Sequence, residues 1–188
     1  MALLILGLVI FLGVHSVRIF ADGARTSLIA RLGPGPWKGL YALASLAGFV
    51  LIVIGYGQAR GGAPLVAEPA ALKSLAMVMI AAGFVGVTAA YWPGNHIKVL
   101  VRDPMVVGVG LWAAGHLLVK TTPAALALFG AFLVWAVADV LSLRARPATP
   151  IAAPKTLNTI LVLVVGLAVA AAFALWLHGP LIGVAPLG

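Results

Sequence analysis

The amino-acid sequence predicts an all-α fold, a polytopic transmembrane bundle of about six helices. Of its 188 residues, 63% are hydrophobic and 9% are charged, whereas an ordinary soluble domain carries about 25% charged residues. A bilayer is the solvent that suits such a chain, and its Lys and Arg residues are scattered between apolar runs instead of clustered on one face. The composition therefore argues against a soluble enzyme and against a nucleic-acid-binding protein.

Six apolar segments are long enough, or nearly so, to form these helices. A helix needs about 20 mostly apolar residues to cross the hydrocarbon layer. The segments bounded by charges, Gly or Pro are residues 2–21, 37–58, 72–91, 104–119, 123–143 and 157–177, of which the fourth is the shortest. Pro104 and Pro123 suit the first turns of the fourth and fifth helices, and Gly33-Pro34-Gly35-Pro36 is expected to break the chain before the second.

The segments predict a five-helix domain over residues 1–146, a Pro-rich cytoplasmic linker over 147–156, and a C-terminal helix with a short tail over 157–188. Residues 160–174 are almost all Leu, Val and Ala, a composition typical of a helix that faces lipid. We therefore expect the sixth helix to be a loosely attached addition.

The orientation follows from the Lys and Arg residues, because these side chains resist translocation across the membrane. One set of connections carries Arg18, Arg25, Arg31, Lys38, Lys98, Arg102, Arg144, Arg146 and Lys155, and the other carries Arg60, Lys73 and Lys120. The side with more cations is expected to be cytoplasmic. Both termini then lie on the opposite side, as an even number of helices requires.

Two histidines in apolar segments are the first candidates for chemistry, since polar groups inside a bilayer are costly. His15 lies near the cytoplasmic end of the first segment, and His116 lies within the fourth. Neutral imidazole permits haem ligation or proton transfer, but the spacing alone favours a structural hydrogen bond between helices over either of these. Nearby Gly13, Gly108, Gly110 and Gly115 would admit a large ring or close helix packing.

Other residues in the segments have structural interpretations. Asp139 is predicted at about the depth of Arg18, and we expect the two to form a helix-locking ion pair. Trp112 and Trp135 are deep enough to line a pocket. Interfacial anchoring is expected for the aromatic residues near segment ends, namely Trp37, Tyr41, Tyr91, Trp92 and Trp176.

Absent motifs exclude several classes of activity. The chain has no cysteine, hence no disulfide, thiolate metal site or iron–sulfur cluster. It also lacks a Walker-type phosphate loop, a His-Glu-x-x-His zinc motif and a Gly-x-Ser-x-Gly nucleophile motif. Nucleotide-driven work and zinc hydrolysis are not expected.

Four motifs, in order, resemble one family of bacterial membrane proteins. They are Leu8-Val9-Ile10-Phe11-Leu12-Gly13-Val14-His15-Ser16-Val17-Arg18, Trp37-Lys38-Gly39-Leu40-Tyr41 followed by Ser45-Leu46-Ala47-Gly48-Phe49, Arg102-Asp103-Pro104-Met105 with Leu111-Trp112-Ala113-Ala114-Gly115-His116-Leu117-Leu118, and Phe132-Leu133-Val134-Trp135-Ala136-Val137-Ala138-Asp139. Over most of residues 1–146 the chain resembles the NnrU family. The family commonly has Arg-His-Pro where this chain has Arg102-Asp103-Pro104, so no function is carried over for that histidine.

The resemblance implies a function in nitric oxide or nitrite metabolism during denitrification, in a bacterial cytoplasmic membrane, with both termini then periplasmic. The plant and cyanobacterial 15-cis-ζ-carotene isomerase is similar to this family and has histidine-ligated haem b, which by resemblance makes His15 and His116 candidate haem ligands. If the chain is an enzyme, the resemblance implies a haem-dependent isomerase of a carotenoid-like lipid, or a redox protein. A non-catalytic membrane scaffold is the third hypothesis. The expected partners are the bilayer and a small gas or lipid-soluble substrate, with the oligomeric state open.

Overall fold

The structure, a computed structural model, describes residues 1–147 and 150–186, and over these residues it contains helices and no strands. The helices are α1 Ala2–Phe20, α2 Asp22–Leu32, α3 Pro34–Ala59, α4 Lys73–Tyr91, α5 His96–Val101, α6 Pro104–Leu117, α7 Pro123–Arg144, α8 Thr156–Ala172 and α9 His178–Ile182. A 3₁₀ turn, Ala70–Leu72, precedes α4, and a π-helical turn, Phe173–Leu177, continues α8 into α9. The predicted linker and tail include Ala148, Thr149, Leu187 and Gly188, which lie outside the described residues.

The all-α membrane fold is confirmed, because each predicted apolar segment forms a helix. Among the described residues, five helical stretches are long and apolar enough to cross a membrane, and α6 is a shorter apolar helix of 14 residues. Large apolar side chains cover the outside of the bundle; Leu43 is 67% exposed and Val134 is 70% exposed. Such an exterior suits lipid, because it would be unfavourable in water.

The helices differ from the sequence-based expectation in one boundary and in two additional short helices. α3 begins at Pro34, inside the Gly-Pro-Gly-Pro run that was expected to break the chain, because proline is tolerated in the first turn of a helix. The basic connections also contain helices that the apolar segments did not predict, α2 and α5. α5 begins after Asn95, whose side chain accepts a hydrogen bond from the Lys98 amide.

Some of the helices that pack together are consecutive in the chain and others are not. α1 packs against α3 and α7, α6 packs against α7 and α4, and α4 packs against α8. Glycines set the closest approaches: a methyl group added at Gly48 would lie 2.7 Å from the Phe11 amide nitrogen, and one at Gly108 would lie 2.6 Å from the Gly83 carbonyl oxygen. Small residues thus bring α1 against α3 and α6 against α4, the usual basis of helix packing in membranes.

α8, which its composition predicted to be loosely attached, contacts α4 within the bundle and the α4–α5 turn at the basic end. Within the bundle, a methyl group at Gly166 would lie 2.8 Å from the Val85 Cα atom. At the basic end, the Asn158 amide group donates to the carbonyl oxygens of Pro93 and Gly94 at 3.0 and 3.2 Å. Most of the surface of α8 still faces outward, as expected for a helix in contact with lipid.

Candidate functional site

His15 lies where α1 meets α3 and α7, among aromatic side chains. Its ring stacks on Phe11 with centroids 4.2 Å apart, and it lies 5.2 Å from the Tyr41 ring of α3. The Trp135 ring of α7 approaches edge-on, with centroids 6.0 Å apart. Residues from three helices therefore fix the position of this imidazole.

The hydrogen bonds of the two histidines define the same tautomer. His15 Nδ1 lies 2.6 Å from the Phe11 carbonyl oxygen, and His116 Nδ1 lies 2.8 Å from the Trp112 carbonyl oxygen. A carbonyl oxygen only accepts, so in each ring Nδ1 carries the proton and Nε2 keeps its lone pair in the neutral form. A histidine whose other nitrogen is held in this way is well prepared to bind a metal through Nε2.

His116 lies in the last turn of α6, at the end of the bundle with few cations. Its ring stacks almost parallel on Phe129 of α7, with centroids 4.3 Å apart and an interplanar angle of 14°. Trp112, one turn earlier, lies 5.1 Å away. These contacts with Trp112 of α6 and Phe129 of α7 show that the imidazole takes part in the packing of the two helices.

The structure does not bring His15 and His116 together. A continuous series of rings links them, in which Phe132 lies 5.7 Å from Phe11 and 5.6 Å from Trp112. Their contacts on α7, Trp135 and Phe129, are six residues apart, or about 9 Å along the helix. Two ligands of one haem lie on opposite faces of a flat ring, and the aromatic rings between the two histidines do not fit that arrangement.

The predicted ion pair between Arg18 and Asp139 is not among the ion pairs shorter than 4.0 Å in the described part of the chain. Those pairs join Arg25 to Asp22 and Lys120 to Glu68. Asp139 lies within electrostatic range of Arg146, Arg18 and His15, and also of a second acid, Asp103. These groups therefore form one charged cluster beside the imidazole instead of a single locked pair.

Arg146 joins α7 to α1 at this basic end. One guanidinium nitrogen, Nη2, donates to the Arg18 carbonyl oxygen and to Ser142 Oγ, both at 2.6 Å. The other, Nη1, is buried and has no hydrogen-bond partner among the described residues. A buried guanidinium nitrogen without an acceptor is costly and favours an anionic group nearby.

A lipid-facing groove of about 370 Å³ runs between α1 and α7 beside this cluster. Ser16 and Phe20 line it on one side, and Ala131, Trp135 and Ala138 line it on the other. The indole nitrogen of Trp135 is buried without a hydrogen-bond partner in the described structure. Trp135 thus lines a groove, as its depth predicted, whereas Trp112 packs between Phe129 and Phe132.

The glycines near the histidines differ in how closely they are packed. Gly108 packs against Gly83, and a methyl group at Gly115 would lie 3.0 Å from the Ala76 carbonyl oxygen, so both serve helix packing. Gly110 is in ordinary contact with Ala136. Gly13 faces open space, with nothing within 4 Å of an added methyl group.

Sequence reasoning missed three members of the site. Tyr41 was expected to be an interfacial anchor but contacts His15, and Ser45, one turn further along α3, has a buried hydroxyl without a partner among the described residues. Arg146 was counted only as a topological cation. Tyr41 and Ser45 stand four residues apart on one face of α3, a spacing that the sequence does show.

The ligands available for a metal are few. Within residues 1–147 and 150–186 no three His, Cys, Asp or Glu side chains gather in a group that could hold a metal ion. A haem supplies four ring nitrogens itself and needs only one or two ligands from the protein. An imidazole with a free Nε2 is a suitable donor of that kind.

Comparison with protein families gives a match over nearly the whole chain. The family model described as NnrU protein matches residues 3–186, so it extends over the linker and the C-terminal helix as well as the first five apolar helices. No curated protein and no solved structure matches the chain. Since the match covers nearly the whole sequence, this membrane protein belongs to the NnrU family.

Proposed function

We propose that this protein acts in nitric oxide or nitrite metabolism in a bacterial cytoplasmic membrane, and that His15 holds a b-type haem there. The basic end of the bundle faces the cytoplasm in this proposal, and both termini are periplasmic. The resemblance to the NnrU family supports the metabolic setting. The hydrogen bond from His15 Nδ1 to the Phe11 carbonyl oxygen carries the haem assignment, because it leaves Nε2 free as a ligand.

His15 is favoured over His116 by its surroundings. Three polar atoms without partners in the described structure lie on the helices that meet there: Trp135 Nε1, whose ring contacts His15, Ser45 Oγ, one turn along α3 from Tyr41, and Arg146 Nη1, just after the end of α7. Haem propionates are anionic, and Arg146 with the exposed Arg18 offers guanidinium groups at the same end of α1 and α7. His116, in contrast, stacks on Phe129 beside the tilted Trp112 ring, and its hydrogen bond within the described residues is to the Trp112 carbonyl oxygen, with no arginine involved.

The residues around His15 would control access to the site. A haem held by the His15 imidazole would supply an iron that can bind a small gas such as nitric oxide. The Phe11 carbonyl oxygen fixes the ring orientation and the tautomer of His15. The Phe11, Tyr41 and Trp135 rings make the surroundings of His15 apolar, so a diatomic gas that partitions into lipid would reach the site more readily than an ion would.

A haem-dependent cis/trans isomerase of a carotenoid-like lipid is the second candidate. The observation that favours it is the apolar groove between α1 and α7, which is open to lipid and lined by the same Trp135 that contacts His15. A polyene dissolved in the bilayer would reach such a groove without entering water. Conversion of a poly-cis carotene by the purified protein, measured against nitric oxide binding, distinguishes the two candidates.

The haem assignment is tested by absorption spectroscopy of detergent-purified protein expressed with a haem supply. We expect a Soret band in the wild type and in His116→Ala, and its loss in His15→Ala. His96→Ala is the matched control, since it removes an exposed imidazole at the basic end without touching α1 or α7. Circular dichroism and gel filtration confirm that each variant is folded.

Each other outcome overturns a defined part of the proposal. A colourless, folded wild type removes haem and leaves the non-catalytic scaffold. Loss of the Soret band in both His15→Ala and His116→Ala would show ligation by both imidazoles, and thus a rearrangement of the rings between them. Loss in His116→Ala alone would place the haem at the other end of the bundle.

A further inference from the structure

A second apolar groove lies between α4, α6 and α8, on a part of the bundle that the proposed haem site does not use. Its volume is about 450 Å³. Ala82 of α4, Val107 and Leu111 of α6, and Leu163 and Leu167 of α8 are among its lining residues. The lining is therefore aliphatic and suits a hydrocarbon chain better than any polar ligand.

The groove begins at the basic end of the bundle and runs toward its middle. Ile97 and Val101 of α5 line the groove at this basic end. On α6 the lining extends from Pro104 to Leu111, a distance of about 10 Å along the helix axis. This is a large part of one leaflet of the roughly 30 Å hydrocarbon layer, so one acyl chain has room to lie along it.

Three cations lie next to the end of the groove that is at the basic end of the bundle. Lys98 and Arg102 directly follow two lining residues of the groove, Ile97 and Val101. The Lys155 amide donates to the Gly94 carbonyl oxygen at 2.9 Å, and this bond holds Lys155 beside the start of α5. Lys98 Nζ donates to the Ala90 carbonyl oxygen at 3.1 Å and keeps two further donors. The acid in the segment between Trp92 and Pro104 is Asp103, so positive charge predominates there.

The backbone at Arg102 has a conformation that is unfavourable for a residue with a side chain. Its φ angle is +66° and its ψ angle is −52°, and the Asp103 amide donates to the Val101 carbonyl oxygen at 2.8 Å, which closes a three-residue γ-turn around Arg102. This form of the turn is rare and unfavourable for a residue with a side chain. It keeps Arg102 exposed immediately after α5, at the end of the groove.

We propose that this groove binds one acyl chain of an anionic phospholipid, whose phosphate contacts Lys98, Arg102 and Lys155. The two halves of the site match the two halves of that ligand: an aliphatic groove for the chain, and cations at the membrane surface for the headgroup. Basic pockets between transmembrane helices at this level are known binding sites for anionic headgroups. A zwitterionic lipid would fill the groove equally well but would gain less from the cations.

Native mass spectrometry of the full chain, released from detergent micelles, tests the proposal. Palmitoyl-oleoyl phosphatidylglycerol and the corresponding phosphatidylcholine are titrated separately. We expect phosphatidylglycerol to bind first and with one tight site. The triple variant Lys98→Gln, Arg102→Gln, Lys155→Gln is expected to lose about fivefold in affinity per cation removed.

Two matched controls separate a built site from general attraction. Arg31→Gln, Lys38→Gln, Arg144→Gln removes three exposed cations from the same side but from α2, α3 and α7, and it is expected to keep the tight site. Ala82→Phe fills the groove and is expected to weaken both lipids more than tenfold, whereas Ala42→Phe, an exposed alanine of α3, is not. Thermal unfolding in detergent confirms that the variants are folded.

Equal binding of the two lipids by the wild type would overturn the headgroup assignment. Equal losses in the two triple variants would do the same, because they would show diffuse attraction to the basic side. Unchanged binding in folded Ala82→Phe would overturn the groove as the seat of the chain. None of these outcomes bears on haem, so this proposal and the proposed function fail separately.

Discussion

At Gly48 the backbones of α1 and α3 come closer than a side chain permits. An added methyl group would lie 2.7 Å from the Phe11 amide nitrogen and 3.0 Å from the Phe11 Cβ atom. Phe11 also carries the carbonyl oxygen that holds His15. The packing of one glycine therefore determines both the α1–α3 contact and the orientation of the candidate haem ligand.

We predict that Gly48→Ala destabilises the protein by about 1–3 kcal/mol, because the methyl group forces the two backbones apart. Gly57→Ala on the same helix is the control, since nothing lies within 4 Å of a methyl group there and alanine favours helix by up to about 1 kcal/mol. Thermal unfolding in detergent, followed by circular dichroism, measures both. Equal stability of the two variants would contradict the close approach of α1 and α3.

At the scale of elements, α8 depends on polar contacts at its basic end as well as on apolar packing. Thr159 Oγ1 accepts a hydrogen bond from the His96 amide at 3.0 Å and lies 2.9 Å from His96 Nδ1. Asn95, which is fully buried, donates to the Ala89 and Trp92 carbonyl oxygens and so holds the turn that α8 contacts. These side chains connect α8 to the α4–α5 turn.

Thr159→Ala is expected to loosen this connection without unfolding the bundle. It removes the acceptor of the His96 amide, a bond of about 1 kcal/mol, so exchange of that amide hydrogen should accelerate about fivefold. Hydrogen exchange with mass spectrometry, resolved to peptides over residues 92–101, measures it. Thr156→Ala, which removes an exposed hydroxyl three residues earlier on α8, should leave the rate unchanged; acceleration in both variants would point to general fraying of α8.

For the molecule as a whole, features that depend on the composition of one segment could be predicted from the sequence. Features that depend on which segments pack together could not. The apolar segments predicted every long helix because the lipid requirement acts on about 20 consecutive residues. α2 and α5 escaped because short helices in basic connections have no comparable apolar run. The order of neighbours in the bundle depends on which small residues meet, such as Gly83 with Gly108, and no single segment contains that information.

In the candidate site, too, single residues could be predicted from the sequence and their relative positions could not. His15 and His116 could be found from the sequence, because an ionisable group within an apolar segment is conspicuous. Their separation could not, because it depends on the Phe11, Phe132 and Trp112 rings that lie between them in the folded chain. Tyr41 was misjudged for a related reason: the same ring suits an interface or an interior, and only the position of α1 decides between them.

The orientation of the whole bundle is a prediction of electrostatics that this chain makes easy to test, because it contains no cysteine. Single cysteines at Ser27 in α2 and at Ala63 between α3 and α4 are both exposed and lie at opposite ends of the bundle. With the basic connections held in the cytoplasm, a membrane-impermeant maleimide should label Ala63→Cys in cells whose outer membrane is permeable to it. Ser27→Cys should react only after the inner membrane is opened, and the cysteine-free parent should not react. Labelling of Ser27→Cys before that step would invert the topology, and the headgroup site at Lys98, Arg102 and Lys155 would then face the periplasmic leaflet.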